Sequence, residues 1–303
     1  MGLRAELLGD TTIAERDLLQ AAKVDKQYDP RWTLANFYAR QQRPAEFWES
    51  IRQVLTFDQI DLRPAFDLCW NFTGDAAHIA HLLPQSEPVL RQYLAYTIAT
   101  TRAEAAGAAA KDVLEHFANQ DAALLAYYCR WTGSVEIWNA LCRRRLVPFP
   151  PTDPGKGRTL TDGDFTVKPE VTDAPRAFQW TIPPATEIYA TRLSPGLRFS
   201  LSGNQPERCE LLAQSVPVSP NRSYRFRFEY QTGGLPAKTG LHWNAQKAQA
   251  DLAASEEWKT SEMLFHSTTE NLVRLVLGYA RVPGTIRTEG TISIRGLTLE
   301  FTE

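Results

Sequence analysis

A segment rich in proline and glycine separates two parts of the sequence that have different periodicities. The twelve residues from Val147 to Arg158, VPFPPTDPGKGR, contain four prolines and two glycines, so neither a helix nor a central strand can continue through them. Before this segment apolar residues recur at intervals of three and four, and after it they alternate with polar ones. A chain of 303 residues has room for two domains with separate cores. We therefore predict a domain over 1–147, a Pro-rich linker over 148–157 and a second domain over 158–303.

The first part of the sequence predicts paired helices. Helical spacing is clear in AEFWESIRQVL, PVLRQYLAYTIA and VEIWNALCRRRL. Helix pairs begin at Asp29, Asp61, Glu87 and Asp121, which are separated by 32, 26 and 34 residues. Aromatic residues at helical spacing normally belong to the core. We expect six of them to fill the seams between helices: Trp32, Tyr38, Trp48, Trp70, Tyr93 and Tyr128.

This arrangement resembles the tetratricopeptide-repeat family, whose unit is about 34 residues of helix–turn–helix. Pro30 lies near the position where a unit of that family ends, and Tyr38-Ala39, Tyr93 and Ala95 fit its first helix. One helix pair cannot bury its own apolar face, so the pairs must stack. The resemblance implies an all-α helical-repeat solenoid that binds a protein partner.

The second part of the sequence predicts an antiparallel β-sandwich of about 140 residues. Apolar and polar residues alternate, or β-branched residues cluster, in LRFSL, YRFRFEY, LVRLVLGY and TISIRGLTLEF, and turn signals such as SPNRS and PGT lie between them. The stretch NAQKAQADLAASEEW lacks these patterns, and we expect a loop with at most one helical turn there.

Several landmarks in this second part resemble, in order, those of a carbohydrate-binding-module-like (galactose-binding-like) jelly roll. The matching positions are Gly163-Asp164-Phe165, Trp180, Gln214, Tyr224, Trp258 and Gly290-Thr291. The resemblance implies an all-β jelly roll and saccharide binding. It also implies a structural calcium ion held by acidic residues near the first strand and on the last. Asp162 and Asp164 are present, but the closing strand carries Arg295-Gly296 at that point, so we predict no calcium.

Alternation along the strands identifies candidate ligand residues. Tyr224, Phe226, Phe228 and Tyr230 share one face of their strand, which must be the core. The opposite faces offer charged and polar residues that could bind an acidic saccharide through charge-assisted hydrogen bonds: Arg198, Arg225, Arg227, Glu229, His242 and Arg274. Two other interpretations remain open, a solvated outer face and a surface on which the helical domain docks. On the strand that carries LHWN, Trp243 has the parity of Leu241, which puts His242 and Asn244 on the opposite face. An aromatic platform carried by Trp243 or Tyr189 from loops is a further alternative.

The sequence contains no motif of a known catalytic site. GxSxG, HExxH, a P-loop and the dinucleotide-binding glycine pattern are all absent. His78 and His81 are three residues apart, but no carboxylate or cysteine at matching spacing completes a metal site. We therefore predict a protein that is not an enzyme and has neither a cofactor nor a bound metal.

Charge and hydropathy restrict the partners. The net charge of −2 gives no electrostatic reason to bind nucleic acid, and no apolar segment is long enough to insert into a membrane. Two compartments stay open: the periplasm or cell envelope if a leader has been removed, and the cytoplasm otherwise.

Together these features predict a non-catalytic adaptor. Its helical repeats would bind a protein partner, and its jelly roll would bind a saccharide or brace the assembly, in a context such as bacterial envelope or exopolysaccharide assembly. One alternative is a purely structural protein-interaction module without sugar binding. Another is a glycan-active enzyme with an unrecognised pair of carboxylates, because a glycosidase needs two such groups facing one cleft.

Overall fold

The structure is a computed structural model that describes residues 1–57, 60–172 and 176–302. The chain divides into two compact units, Met1–Leu124 and Leu125–Glu303. The first unit is helical, and the second contains a β-sandwich together with the last helical segments. Within the described residues, the helices are too short or too polar to cross a membrane.

In the described residues up to Arg143, all regular secondary structure is α-helical. Proline occupies one of the first two positions of three of the helices (Pro44, Pro64 and Pro88), where its missing N–H is not needed. Gly74 ends one helix with φ 65°, and the Asp75 carboxylate caps the next by accepting from the His78 N–H at 3.0 Å. In order the helices are α1 (Gly2–Leu7), α2 (Thr11–Val24), α3 (Tyr28–Arg40), α4 (Pro44–Val54), α5 (Arg63–Thr73), α6 (Ala76–Leu82), α7 (Glu87–Ala99), α8 (Ala103–Thr132) and α9 (Val135–Arg143).

Successive helices α3/α4, α5/α6 and α7/α8 correspond to the predicted helix–turn–helix units. The unit predicted to begin at Asp121 differs, since that residue lies inside α8, where the backbone leaves helical geometry (φ −113°, ψ 21°). Three of the six aromatic residues expected in the seams are buried, and the other three are half-buried. The helical class is therefore as predicted, while the repeat geometry of a solenoid stays a prediction.

Two sheets form the sandwich. The six-stranded sheet has the order β1-β2-β5-β10-β7-β8, and the five-stranded sheet has the order β3-β4-β11-β6-β9. All pairings are antiparallel except the short one between β1 and β2, which is parallel. The strands are β1 (Glu170–Val171), β2 (Thr181–Ile182), β3 (Ile188–Arg192), β4 (Leu197–Ser202), β5 (Arg208–Pro217), β6 (Ser223–Gly233), β7 (Lys238–Ala245), β8 (Ala248–Ala253), β9 (Lys259–His266), β10 (Leu272–Ala280) and β11 (Glu289–Thr302).

The core lies between the two sheets and is rich in aromatic residues. On β6 the predicted inward set, Tyr224 to Tyr230 in steps of two, is almost completely buried. Rings from both sheets meet there, with the centroids of Phe226 and Trp243 4.9 Å apart and those of Trp180 and Trp243 6.1 Å apart. Burying one such side chain contributes roughly 1.5–3 kcal/mol. The alternation read from the sequence is confirmed for this strand.

The landmarks of the jelly-roll resemblance hold the fold together. A Cβ on Gly163 would lie only 1.9 Å from the Leu297 carbonyl oxygen, so only glycine fits where the first loop crosses β11. The buried Gln214 amide donates to the Thr161 carbonyl oxygen at 3.0 Å. The Tyr224 hydroxyl accepts from the Ser219 N–H at 2.8 Å. These positions are structural.

The prediction of a loop in NAQKAQADLAASEEW is wrong. Its first part forms a β-hairpin in which Ala245 on β7 pairs with Ala248 on β8 across a two-residue turn. Gln246 adopts φ 53° in that turn, as tight hairpins require. Alanine marks the inward positions of β8 too weakly for its alternation to stand out, because only Leu252 there is strongly apolar and buried.

The second compact unit begins earlier than the predicted linker, because the last helical segment packs with the sandwich. Trp138 of α9 is fully buried, and its ring centroid lies 5.1 Å from that of Phe178. Asn139 also exchanges two hydrogen bonds of 2.8 Å with Thr152, inside the Pro-rich segment. Amphipathic periodicity identified α9 as a helix, but it carries no information about the surface on which the helix packs.

Candidate functional site

The predicted ligand residues do not form a single site. Arg198, Arg225, Arg227, Glu229 and Tyr189 lie on the outer face of the five-stranded sheet. His242 and Arg274 lie on the outer face of the six-stranded sheet, on the opposite side of the core. Alternation shows that a residue points away from the core, but strand order decides which of the two outer faces it occupies.

The charged residues of the five-stranded face are largely paired with one another. Glu262 lies 3.5 Å from Arg225 and 3.3 Å from Arg227. Glu229 accepts from Arg295 at 2.7 Å, and the Arg295 guanidinium lies over the Trp258 ring. The Arg198 guanidinium donates to the Ser293 hydroxyl at 3.0 Å. The pairs between charged residues are partly exposed, so each contributes only about 0–1 kcal/mol to stability. Because these charges already have partners, this surface fits the interpretation as a solvated outer face better than that as a ligand site.

The two aromatic candidates, Trp243 and Tyr189, differ in their exposure to solvent. Trp243 is completely buried between the sheets, so its proposed role as a binding platform is corrected: no ring face is available to a ligand. Its position follows from parity, since Trp243 shares the inward phase of Leu241 and Ala245 on β7. Tyr189 lies on strand β3 rather than in a loop, and it is 62% exposed beside Ser200 of β4. Its role as a binding platform stays a prediction.

A cleft crosses the outer face of the six-stranded sheet around His242. It consists of two hollows, of about 800 Å³ and about 610 Å³, that share Arg208, His242 and Ala280. A further hollow of about 1150 Å³ shares Lys238 and Arg281 with the first and extends it toward the loops. We call the two sheet hollows the His242 cleft. Its polar lining consists of Arg208, Glu210, Lys238, His242, Asn244, Gln246, Gln249, Asp251, Arg274 and Arg281, with the Thr239 backbone beside them.

Small residues form the floor of the His242 cleft. Gly278 on β10 lies between Glu210 of β5 and His242 of β7 in the strand register. A Cβ on Gly278 would approach His242 Nε2 to 3.0 Å, so the absent side chain leaves room for the imidazole above the sheet. Gly240 has φ 75° at an irregularity in β7, and a Cβ there would lie 2.3 Å from the Ala280 carbonyl oxygen. The depression in the sheet therefore depends on these glycines.

The tautomer of His242 follows from its hydrogen bond. The Nδ1 atom lies 3.1 Å from the Gly240 carbonyl oxygen, which can only accept, so Nδ1 carries the proton. In the neutral imidazole Nε2 is then an acceptor, and it lies above Gly278 in the cleft. Asp251 pairs with His242 in the register of β7 and β8 and adds a carboxylate to the same side. Its oxygen accepts from the Gln249 amide at 2.6 Å, which orients both side chains.

A bidentate ion pair forms part of the cleft wall. The Arg274 guanidinium donates to both oxygens of Glu210, at 2.6 Å and 2.5 Å. This contact raises the pKa of Arg274, so the cation persists at every pH of interest. Cys209 is half-buried beside them, and burial raises the pKa of its thiol to about 11, which makes it a poor nucleophile at neutral pH.

The acidic residues near the first strand do not fit a calcium site. Asp162 accepts from the Thr166 and Val167 N–H groups at 2.6 Å and 2.8 Å, and Asp164 accepts from the Gly296 N–H at 3.1 Å. The Arg192 guanidinium donates to the Phe165 and Thr166 carbonyl oxygens, so a cation already lies beside this loop and would repel calcium. Across the described part of the chain, histidines, cysteines and carboxylates form no group of three that could hold a metal ion.

Several residues of the cleft were missed by sequence reasoning, among them Arg208, Lys238 and Asp251. Arg208 and Lys238 lie on β5 and β7, which pair with β10 over long sequence distances, and Asp251 lies on β8, in the stretch predicted to be a loop. One local signal was available: the isolated glycine in LVRLVLGYA marks a bulge or a close approach within a strand. Gly278 occupies that position, where the register of β5 and β10 shifts.

No model of a known protein family and no curated protein matches the chain. Solved structures similar to it include carbohydrate-binding modules. One described as a CBM4 has 10% identity and a TM-score of 0.34 over 46% of this chain and 98% of its own. A CBM61 in complex with β-1,4-galactotriose has 13% identity and a TM-score of 0.33 over 46% of this chain and 96% of its own. The CBM22-1 xylan-binding domain from Paenibacillus barcinonensis Xyn10C has 11% identity and a TM-score of 0.29, over 44% of this chain and 90% of its own. Similarity at this level says nothing about what the present chain binds.

Proposed function

We propose that the β-sandwich binds a saccharide in the His242 cleft. The observation that carries the proposal is a depression across four neighbouring strands that gathers guanidinium, imidazole, amide and carboxylate groups above a glycine floor. Sugar hydroxyl groups both donate and accept hydrogen bonds, and planar side chains of these types serve both functions. Ligand sites are typically concave, with a few placed polar groups that determine orientation.

The cleft contains both donors and acceptors for the hydroxyl groups of a saccharide. Arg208 and Lys238 can only donate, whereas Asp251 can accept, as can His242 Nε2 in the neutral imidazole. The Arg274–Glu210 pair holds both its members in place, so little rotamer entropy is lost when a ligand arrives. The adjoining hollow beyond Lys238 gives an oligosaccharide room to extend.

A glycan-binding assay on the whole chain tests the site. We expect His242→Ala to weaken binding about fivefold or more, as expected for the loss of a hydrogen-bonding group, while thermal unfolding stays close to that of the parent protein. Arg227→Ala on the five-stranded face is the matched control and should leave affinity unchanged. Loss of binding in Arg227→Ala but not in His242→Ala would move the site to the other face, and silence across neutral and acidic glycans would overturn the proposal.

We further propose that the protein is a non-catalytic adaptor whose helical repeats bind a protein partner. Three apolar side chains at the ends of α1 and α2 support this: Leu7, Leu8 just after α1, and Val24 are 89%, 77% and 74% exposed. A partner purified on the whole chain should lose affinity for Leu7→Glu but not for His242→Ala. Equal binding to both variants would remove this surface from the proposal.

The absence of catalysis is also a proposal. Incubating the whole chain with each glycan that it binds, followed by chromatography, should return the glycan intact. Release of shorter products would favour the glycan-active alternative, and the absence of any glycan ligand would favour the purely structural one.

A further inference from the structure

We propose that the ligand of the His242 cleft is an acidic saccharide, and that Arg208 and Lys238 bind its uronic acid carboxylates. This inference rests on the proposed function and narrows it to a chemical class. Three features of the cleft support it: an excess of cations, two cations without an ion-pair partner, and, among the described residues that line it, no exposed Phe, Tyr or Trp ring.

Cations are concentrated at one end of the cleft. Its hollow of about 800 Å³ is lined by Arg208, Lys238 and Arg281, and by a single carboxylate, Asp251. Ala280 pairs with Arg208 in the strand register, and its small side chain leaves the space between the cations open. The whole chain has a net charge of −2, so this local excess of positive charge is not a consequence of a basic protein. A concave surface of one sign focuses the field and attracts oppositely charged ligands.

The cations differ in whether they are already neutralised. Arg281 lies 3.1 Å from Glu207 and donates to the Thr285 carbonyl oxygen at 2.8 Å. Arg208 and Lys238 are exposed, and neither forms an ion pair with any residue that the structure describes. The carboxylate of Asp251 is bound by Gln249. The two unpaired cations are therefore the groups available to an incoming anion.

The cleft offers no stacking surface that would favour a neutral sugar. Apart from His242, Tyr279 is the one aromatic residue that lines its described part, and the Tyr279 side chain points into the core and is 1% exposed. The hydroxyl of Tyr279 accepts from the buried Thr288 N–H at 3.0 Å, which holds the ring in place. Without an exposed Phe, Tyr or Trp ring among the described residues of the cleft, affinity must come mainly from hydrogen bonds. Hydrogen bonds between a cation and a carboxylate are about twice as strong as neutral ones.

Oligosaccharides that differ only in their carboxylates test the inference. We would measure calorimetric binding of the whole chain to oligosaccharides of polygalacturonate and of alginate, each beside its carboxyl-reduced counterpart. We expect the acidic form of one of them to bind at least tenfold more tightly than its reduced form, and this difference to shrink as salt is raised. The double variant Arg208→Gln/Lys238→Gln should bind the acidic form about as weakly as the reduced one. Lys259→Gln, an exposed lysine at the start of β9, is the matched control and should behave like the parent protein.

The outcomes separate the two proposals. Equal affinity for acidic and reduced forms, or binding of neutral galactotriose and xylo-oligosaccharides alone, would overturn the acidic class and leave saccharide binding intact. Tight binding of the acid that survives the double variant would remove Arg208 and Lys238 from the site. Failure to bind any of the acidic, reduced or neutral oligosaccharides would overturn both the inference and the proposed function.

Discussion

Replacing Gly278 with alanine would shift the imidazole of His242 without removing any functional group. The new Cβ would lie 3.0 Å from His242 Nε2 and 3.5 Å from Cε1, whereas ordinary contacts begin near 3.4 Å. The ring must therefore move by about 0.4 Å, or rotate away from the cleft floor. Since the clash involves the far end of a side chain, the strand itself can stay in place.

The expected magnitudes differ for stability and for binding. Gly278 does not have a positive φ, so alanine should stabilise the protein by ~0.4–1 kcal/mol because it lowers the conformational entropy of the unfolded chain. This gain offsets part of the free-energy cost of the close contact with His242. A misplaced hydrogen bond to the ligand costs ~0.5–1.5 kcal/mol. At 1.4 kcal/mol per factor of ten, Gly278→Ala should weaken saccharide binding about twofold to tenfold and leave the melting temperature almost unchanged.

Calorimetric binding and thermal unfolding of the same samples would measure both effects. Gly240→Ala is the contrasting variant. Its Cβ would lie 2.3 Å from the Ala280 carbonyl oxygen, and residue 240 has φ 75°, which is unfavourable for alanine. Relief of this clash would require the backbone to move. We expect the free energy of unfolding of Gly240→Ala to fall by ~1–3 kcal/mol from the backbone strain alone. Unchanged affinity in Gly278→Ala would refute the role assigned to His242, and a large fall in its melting temperature would refute the claim that only a side chain moves.

Three further predictions concern stability. Trp243→Ala should lower the free energy of unfolding by ~3–5 kcal/mol in urea titrations, whereas Tyr189→Ala should change it by less than ~0.5 kcal/mol; similar values for both would contradict the buried position of Trp243. Burial raises the pKa of Asp121, although Arg91 lies 3.1 Å away, so the folded state loses stability as the pH rises through that raised value. Asp121→Asn should therefore raise the melting temperature at pH 7, with the difference vanishing below the ordinary pKa of 3.8, and a lower melting temperature at pH 7 would show that the ion pair outweighs burial. Calcium and EDTA should leave the melting temperature of the chain unchanged, because backbone N–H groups already occupy the carboxylate of Asp162; a rise of several degrees with calcium would contradict this.

The Asp121 environment also shows why a helical pattern can hide a break. Asp121 was expected to open a new helix pair, since it is acidic like the first residues of the other predicted pairs. In the structure it lies within α8, with its carboxylate buried beside Arg91 of α7 rather than capping a helix. Periodicity continues across the break, because both halves of α8 bury an apolar face. A local pattern therefore identifies the helices better than it locates their ends.

Local periodicity by itself determined the class of each half and the inward or outward phase of the clearest strands. Tyr224, Phe226 and Phe228 alternate with charged residues so regularly that a strand with one buried face is the only consistent outcome. The same rule placed Trp243 in phase with Leu241, and the structure buries it.

Only the tertiary structure decided which outward residues are neighbours. Arg208 and Ala280 are adjacent because β5 pairs with β10, and His242 lies over Gly278 because β7 pairs with the other edge of β10. The physical reason is that phase is a property of one strand, whereas a site on a sheet is a property of strand order. That order is set by the pairing of backbone groups and the burial of apolar faces over the whole sandwich, through contacts between residues far apart in the chain.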